Sequence, residues 1–453
     1  MKCKSMVVGI LGSLCIGLSA VQAQEEIFQR GVELGIGARA LGMGGAYIGV
    51  ADDYSAGFWN PAGLTQIRRL EGFGTMSHIQ RKNDASVGNL FAADELSVTR
   101  VNSIGLAYPV PTYQGSLVFS LGYHRLKPFD SSLQFGWLNT TPEDSVTQRW
   151  SELEEGSLNN WVFAGAAEVA PNFSLGASLN VWSGTDAYQF SFKESDVPFD
   201  LYTFREFRRD DDVTSTFSGY NLKLGGFYRP ISNFRLGFTL ATPVTYTIKD
   251  EWRTSEKTTG DDGSIDDTVD RGSIEYKIRS PFSFGAGASL SVANLLLAAS
   301  VENNDWSQIR YVSDPPFADK TKNEANEELA RQYRNTLRYH LGAEFTLPLI
   351  DLQVRGGYFY DPTPLGPEYF TGRDNSLALR LNEVPKEADR EFFTAGVGIL
   401  LDKQVRLDVG VIHGRWHDFK DPLTDFVNDK DDDLPLDEKI TFNKLFATLA
   451  VRF

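Results

Sequence analysis

The end of the chain alternates in character, and this narrows the possible folds more than any other stretch. Phe453, Val451, Leu449, Ala447 and Leu445 fall on one side of an extended chain; Arg452, Thr448 and Lys444 fall on the other, with Ala450 and Phe446 between them. Successive strand residues point to opposite faces. One face is therefore apolar throughout, while the other carries charge and hydroxyl. An apolar face turned to lipid over a wetter interior is the strand pattern of a transmembrane β-barrel. Phe453 is the aromatic terminal residue expected to signal to the barrel-assembly machinery.

The other end of the chain agrees. Lys2 and Lys4 precede an apolar stretch from Met6 to Leu18, and Ser19-Ala20-Val21-Gln22-Ala23 follows with small residues. This is a secretory signal peptide over residues 1–23, cut after Ala23. Cys15 would suggest a lipoprotein, but Leu14 stands where that reading needs a small residue. Both cysteines, Cys3 and Cys15, lie in the signal peptide, so the mature chain offers no thiol, disulfide or thiolate metal site. Its loss takes the formal charge from -16 to -18, by removal of the two lysines. Such acidity argues against a nucleic-acid partner. Beyond Ala23 no apolar stretch approaches the ~20 residues of a membrane helix.

Apolar alternation recurs along the remainder. Phe173, Leu175, Ala177, Leu179 and Val181 alternate with Ser174, Gly176, Ser178 and Asn180; Val405, Leu407, Val409 and Val411 alternate with Arg406, Asp408 and Gly410. Short connections such as Pro111 to Gly115 and Asp402 to Gln404 alternate with long ones near 81–97, 127–157, 191–213, 248–271, 303–333, 361–389 and 417–438. Short periplasmic turns and long external loops are the rule for such barrels. The expectation is an all-β, transmembrane antiparallel β-barrel of about 14 strands over residues 69–453. The strands fall near 70–80, 98–109, 115–126, 158–169, 173–190, 214–228, 233–247, 272–291, 294–302, 334–346, 350–360, 390–401, 404–416 and 439–453. Tyr108, Tyr123, Trp161, Tyr228, Tyr246, Tyr358, Tyr360 and Trp416 fall near strand ends, where interfacial girdles form.

Residues 24–68 do not alternate. Gly42, Gly44 and Gly45 sit in a run rich in glycine and alanine, followed by Ala51-Asp52-Asp53 and by Asn60-Pro61-Ala62-Gly63-Leu64. The segment is too small and apolar to be a domain, but a wide barrel leaves a lumen for a hatch or plug. A phosphate cradle is the competing reading; Tyr47 occupies the third glycine position and no strand precedes it. The run from Ala38 to Leu64 resembles the amino-terminal hatch of the FadL/TodX (OmpP1) family of outer-membrane transport proteins for hydrophobic compounds. The spelling Arg39-Ala40-Leu41-Gly42-Met43-Gly44 is also similar to PorV-type relatives, which serve protein secretion.

The resemblance implies outer-membrane localisation and transport of a hydrophobic small molecule, a long-chain fatty acid or similar, through a plugged barrel. The alternative it leaves is a docking or shuttle component in protein secretion, with secreted proteins as partners. Outer-membrane lipid and lipopolysaccharide would surround the barrel. Asn60, Pro61 and Ala62 would hold the hatch; Asp52 and Asp53 either anchor it or solvate a turn. Gly122 marks either a kink at a sideways opening or a glycine packed on a neighbour. Phe129, Leu133, Phe135, Trp137 and Leu138 would form an external apolar patch or pack on other loops. The acidic loop clusters lack EF-hand spacing. The five histidines form no metal or catalytic motif, so no metal, cofactor or enzyme activity is expected.

Overall fold

Strands with polar backbone edges cannot leave those edges open in lipid, so the sheet must close on itself. In the computed structural model it does. The structure describes residue 28 and residues 32–87, 90–140, 145–196, 204–317, 320–371, 383–402, 404–420 and 436–453. The signal peptide and Asp429 to Asp433 lie outside the described residues. The first strand, β1 (Glu71–Val87), pairs with the last, β14 (Leu436–Arg452), from Glu71↔Arg452 to Val87↔Leu436. Between them run β2 (Leu90–Val110), β3 (Leu117–Pro128, continued by Ser131–Thr140), β4 (Ser145–Ala170), β5 (Phe173–Asp196) and β6 (Phe204–Ile231). Then come β7 (Phe234–Ala241, continued by Thr245–Gly260), β8 (Ile265–Arg279, continued by Ser283–Val292) and β9 (Leu295–Asp305, continued by Arg310–Tyr311). The ring ends with β10 (Asn335–Leu347), β11 (Leu352–Asp361), β12 (Arg390–Leu401) and β13 (Val405–Lys420) before β14. Eighteen hydrogen-bonded segments thus make fourteen antiparallel strands, because β3, β7, β8 and β9 each consist of two.

The predicted faces hold. Leu445 and Leu449 are about half exposed (50% and 51%) and Phe453 is 74% exposed, whereas Lys444 and Thr448 are buried in the interior. Leu121, Leu224, Leu341 and Val411 extend this outward apolar belt around the ring. Tyr108, Trp161 and Tyr228 are exposed at its margins. Tyr246 and Trp416 correct the expected girdle: both are buried, and Trp416 packs against Phe392 and Phe442 with centroids 5.8 and 6.2 Å away. Parity of position along the strand decides which face a residue takes, not its type.

Most of the expected long loops are strand. The β1–β2 ladder runs to Val87↔Leu90, and that between β7 and β8 to Thr259↔Ile265. β6 has 28 residues, roughly 90 Å at ~3.3 Å each, far beyond a ~25 Å apolar band. Beyond the membrane the outer face is wet, so Asp267 and Arg271 can point outward and the period-2 hydropathy signal vanishes while pairing continues. Phe129, Leu133 and Phe135 are buried rather than displayed, Leu133 and Phe135 beside Trp150, Phe190 and Phe192 on the inner face of this extension; Leu138 is exposed. In the 303–333 connection sits a helix, Lys322–Gln332, started by a Thr321–Glu324 capping box and buried through Ala325 and Leu329. The strands expected at 233–247 and 272–291 each break, across residues 242–244 and 280–282. Pro243 and Pro281 have no N–H to donate to a ladder.

Candidate functional site

Residues 34–65 are buried throughout except for Asp52, which is partly exposed. Their helices are too short to hold alone: α1 (Ala38–Gly42), α2 (Ala56–Trp59) and a 3-10 turn, Pro61–Gln66. Side chains fix the turns between them. The Asp53 carboxylate accepts from the Ser55 N–H at 2.9 Å, the Ser55 hydroxyl at 2.6 Å and the Tyr47 hydroxyl at 2.7 Å. The Asn60 side-chain oxygen accepts from the Ala62 N–H at 3.2 Å, capping the 3-10 turn that Pro61 opens. The Asn60 amide donates to Ile48 O at 3.0 Å and to Gly226 O, on β6, at 3.1 Å. Trp59 donates to Ile36 O at 2.9 Å.

The remaining polar contacts reach around the ring. Thr65 donates to Ser174 (2.8 Å, β5), Lys223 donates to Phe58 O (2.8 Å, β6), and Ser289 donates to Gly49 O (2.8 Å, β8). On the opposite side, His340 Nδ1 lies 2.8 Å from Gly44 O on β10, Thr394 donates to Gly42 O at 3.1 Å on β12, and the Ala38 N–H donates to Thr448 at 3.2 Å on β14. The backbones themselves touch. Gly44, with φ 63°, lies so close to β11 that a Cβ on Gly357 would stand 2.2 Å from its nitrogen. Wall glycines 176, 225, 237, 287 and 342 meet the segment in the same way.

A chain of buried charge secures it. Arg39 donates bidentately to Glu344 on β10, both bonds 2.8 Å, and to Tyr47 and Asp52. Glu344 also accepts from Arg355 at 2.6 Å, Arg355 donates to Asp408 at 2.6 Å, and Asp408 accepts from Arg406 at 3.0 Å. Asp52 lies between Arg39 and Arg235, the latter 3.1 Å away on β7. Burial alone would raise the Asp52 carboxyl, but Arg39 and Arg235 hold it below the usual carboxylate range. Toward the outer end the interior becomes aromatic. Phe28 packs edge-on against Tyr246 and Trp306, each 6.1 Å away, and Trp182 lies 6.3 Å from Tyr246.

The sequence-predicted residues divide accordingly. Gly42, Gly44, Gly45, Asp52, Asp53, Asn60, Pro61 and Ala62 come together in this buried segment. Phe453 is at the ring closure, its N–H donating to Leu70 O at 2.9 Å. Gly122 is regularly paired on both sides, with Gly105 and Val162. The irregularity in β3 falls instead between Arg125 and Lys127, just beyond Ser103↔His124, where the β2–β3 ladder ends. Glu344, Arg355, Asp408 and Arg235 were not singled out from sequence; their signal was a charged residue at an inward position of an otherwise apolar strand.

The model for outer membrane protein transport proteins (OMPP1/FadL/TodX) matches residues 34–422. Among solved structures, the Pseudomonas putida toluene transporter TodX aligns with TM-score 0.59 at 14% identity, covering 93% of this chain and 99% of its own. A FadL homologue of Pseudomonas aeruginosa aligns at 0.56 and 15%, covering 94% and 99%. The Ralstonia pickettii toluene transporter TbuX aligns at 0.54 and 13%, covering 93% and 99%. No curated protein matches the chain. A ring closed by β1 and β14, belted outside by apolar side chains, is an outer-membrane barrel, and the family match over most of its length makes this chain a member of the OMPP1/FadL/TodX family of outer-membrane transport proteins.

Proposed function

We propose that this barrel carries a hydrophobic small molecule, a long-chain fatty acid or a hydrocarbon of similar character, across the outer membrane, and that residues 34–67 are its plug. One observation carries the reading: the segment is buried and bonded to strands on opposite sides of the ring. A plug held by buried salt bridges excludes ions, while the aromatic outer interior around Tyr246, Trp182 and Trp306 offers apolar cargo a place to leave water. The cargo then leaves sideways where the β2–β3 ladder stops, beside His124, which is stacked on Phe73 at 6.3 Å.

Deleting residues 24–67 tests the plug. The intact protein in a planar bilayer should conduct little, and the deletion should give steady ionic currents. Equal conductance would remove the plug from the mechanism. Cells expressing the intact protein should take up labelled fatty acid or toluene faster than cells without it; no difference, together with co-purification of exported proteins, would favour the secretion-docking alternative. The sideways route has its own test. Asn102 donates to Arg125 O at 2.8 Å, the first position beyond the paired ladder. An Asn102→Cys/Arg125→Cys pair should oxidise readily in a mature chain without other cysteines. Uptake should then fall at least about fivefold and recover with reductant, a size of effect expected if one gate controls flux. Unchanged uptake in the oxidised form would refute exit at this seam.

A further inference from the structure

The ring has a second interruption, on the other side from the β2–β3 seam. On β8 the ladder with β9 runs through Ser283↔Asn304 and resumes at Arg279↔Arg310. Between these points residues 280–282 face residues 305–309 with no ladder pairing. The neighbouring seam between β7 and β8 is mended by Ser280, whose N–H donates to Val244 O and whose hydroxyl accepts from the Val244 N–H, both at 2.9 Å. Among the described residues no such repair joins 280–282 to 305–309. A cavity of about 710 Å³ occupies the gap, lined by Arg279, Arg310, Phe282, Pro281, Pro243 and Gln308 among others.

Two features of this cavity call for an anion. Arg279 and Arg310 are direct cross-strand partners. Like charges placed opposite one another repel, and neither guanidinium has a carboxylate partner among the described residues; Arg279 only donates to the Thr245 hydroxyl at 3.2 Å. Both also lie on the outer face, since their strand neighbours Ile278 and Tyr311 are buried in the interior. Lys277, two residues along the same outward face of β8, is likewise without an acidic partner among the described residues. Immediately below, Phe282 and Phe284 are exposed and belong to the apolar belt. The cations therefore stand at the upper edge of that belt, at the depth of the headgroups, on a chain whose formal charge is -16.

We infer that the gap between β8 and β9 is a binding site for a phosphorylated lipid of the outer leaflet, with its phosphate held between Arg279 and Arg310 and an acyl chain lying along Phe282 and Pro281. The oxyanion relieves the repulsion of the paired guanidinia, and their planar forks suit bidentate phosphate binding. The lipid fills a break in the wall that backbone bonds leave open. A free long-chain carboxylate shares the oxyanion chemistry; the outward position of both arginines and the neighbouring Lys277 favour the phosphate-bearing membrane lipid. The site is independent of whether the barrel transports anything.

The test uses the full-length mature protein, delipidated in detergent, with binding read by native mass spectrometry. The probes are lipid A carrying two phosphates, the same lipid after enzymatic dephosphorylation, and palmitate. Bisphosphorylated lipid A should bind the natural protein at least about tenfold more tightly than the dephosphorylated form. Arg279→Gln/Arg310→Gln should abolish that preference, and Arg279→Lys/Arg310→Lys should keep part of it, because lysine keeps the charge but not the fork. Arg208→Gln, on the exposed part of β6, is the control and should change nothing. Folding of each variant is read from its heat-modifiable migration on gels. Retention of the phosphate preference by the folded Gln double variant overturns the site; so does palmitate binding that depends on the arginines while lipid A binding does not.

Discussion

Replacing Arg39 by methionine should turn a closed barrel into a leaking one without unfolding it. Arg39 is buried, and it is the cation that binds Asp52 of the proposed plug and Glu344 of the wall together. Without it, Glu344 keeps Arg355 and Asp52 keeps Arg235, but each carboxylate loses one cation and the link between them is gone. Removing one member of a buried ion pair costs about 3–5 kcal/mol where the partner is left unpaired, and with one cation still beside each carboxylate the lower figure applies. The strand ladders do not involve this side chain, so the loss falls on docking of the plug. At the lower figure of about 3 kcal/mol the undocked population rises roughly 150-fold. Bilayer recordings should show frequent openings in the variant and few in the natural protein. Arg39→Lys should lie between them, since an ammonium cannot reproduce the two parallel 2.8 Å bonds to Glu344. In a double-mutant cycle, Glu344→Gln should cost less in the Arg39→Met background than in the natural protein, because the ion pair it breaks is already lost. Natural-like conductance and protease protection in Arg39→Met would show that the ion pair does not hold the plug.

Gly44→Val should be at least as damaging, by a steric route. Gly44 has φ 63°, a conformation costly for a β-branched residue, and its added Cβ would stand 2.7 Å from Tyr358 N and 2.8 Å from Leu341 O. Those atoms belong to the β10–β11 ladder, where Leu341 and Tyr358 are paired, so the wall can give way only by losing hydrogen bonds. Strain and clash together should exceed about 3 kcal/mol. The expected readout is rapid proteolysis within residues 34–67, with the barrel intact on gels. Gly72→Ala is the matched control: nothing lies within 4 Å of its Cβ position, and it should behave like the natural protein. Equal protease resistance of Gly44→Val and Gly72→Ala would refute the close approach of plug and wall.

Both variants act on a segment whose importance was partly legible from the chain itself. The density of glycine from Gly42 to Gly45, the Asp52-Asp53 pair and the Asn60-Pro61 turn marked it as compact and non-strand, because these residue types have local conformational reasons to stand there. Their partners were not legible. Nothing near Glu344 in the sequence says that its carboxylate meets Arg39, 305 positions away. The wall glycines were equally silent, since a glycine in a strand reads as weakness until something is seen pressed against it. The extension of the strands past the membrane was missed for another reason: hydropathy reports what a face touches, and above the bilayer the outer face touches water instead of lipid, so the outward apolar positions that mark a membrane strand are gone.

The sequence by itself determined the barrel, its fourteen strands and their outward faces. Membrane-crossing strands must alternate between lipid and interior, and that alternation is a local property carried by adjacent residues. Only the tertiary structure decided where the strands end, which inward charges pair across the lumen, and where the wall is interrupted at β2–β3 and at β8–β9. Those outcomes depend on side chains and backbones brought together from distant parts of the chain, and short-range pattern holds no record of them.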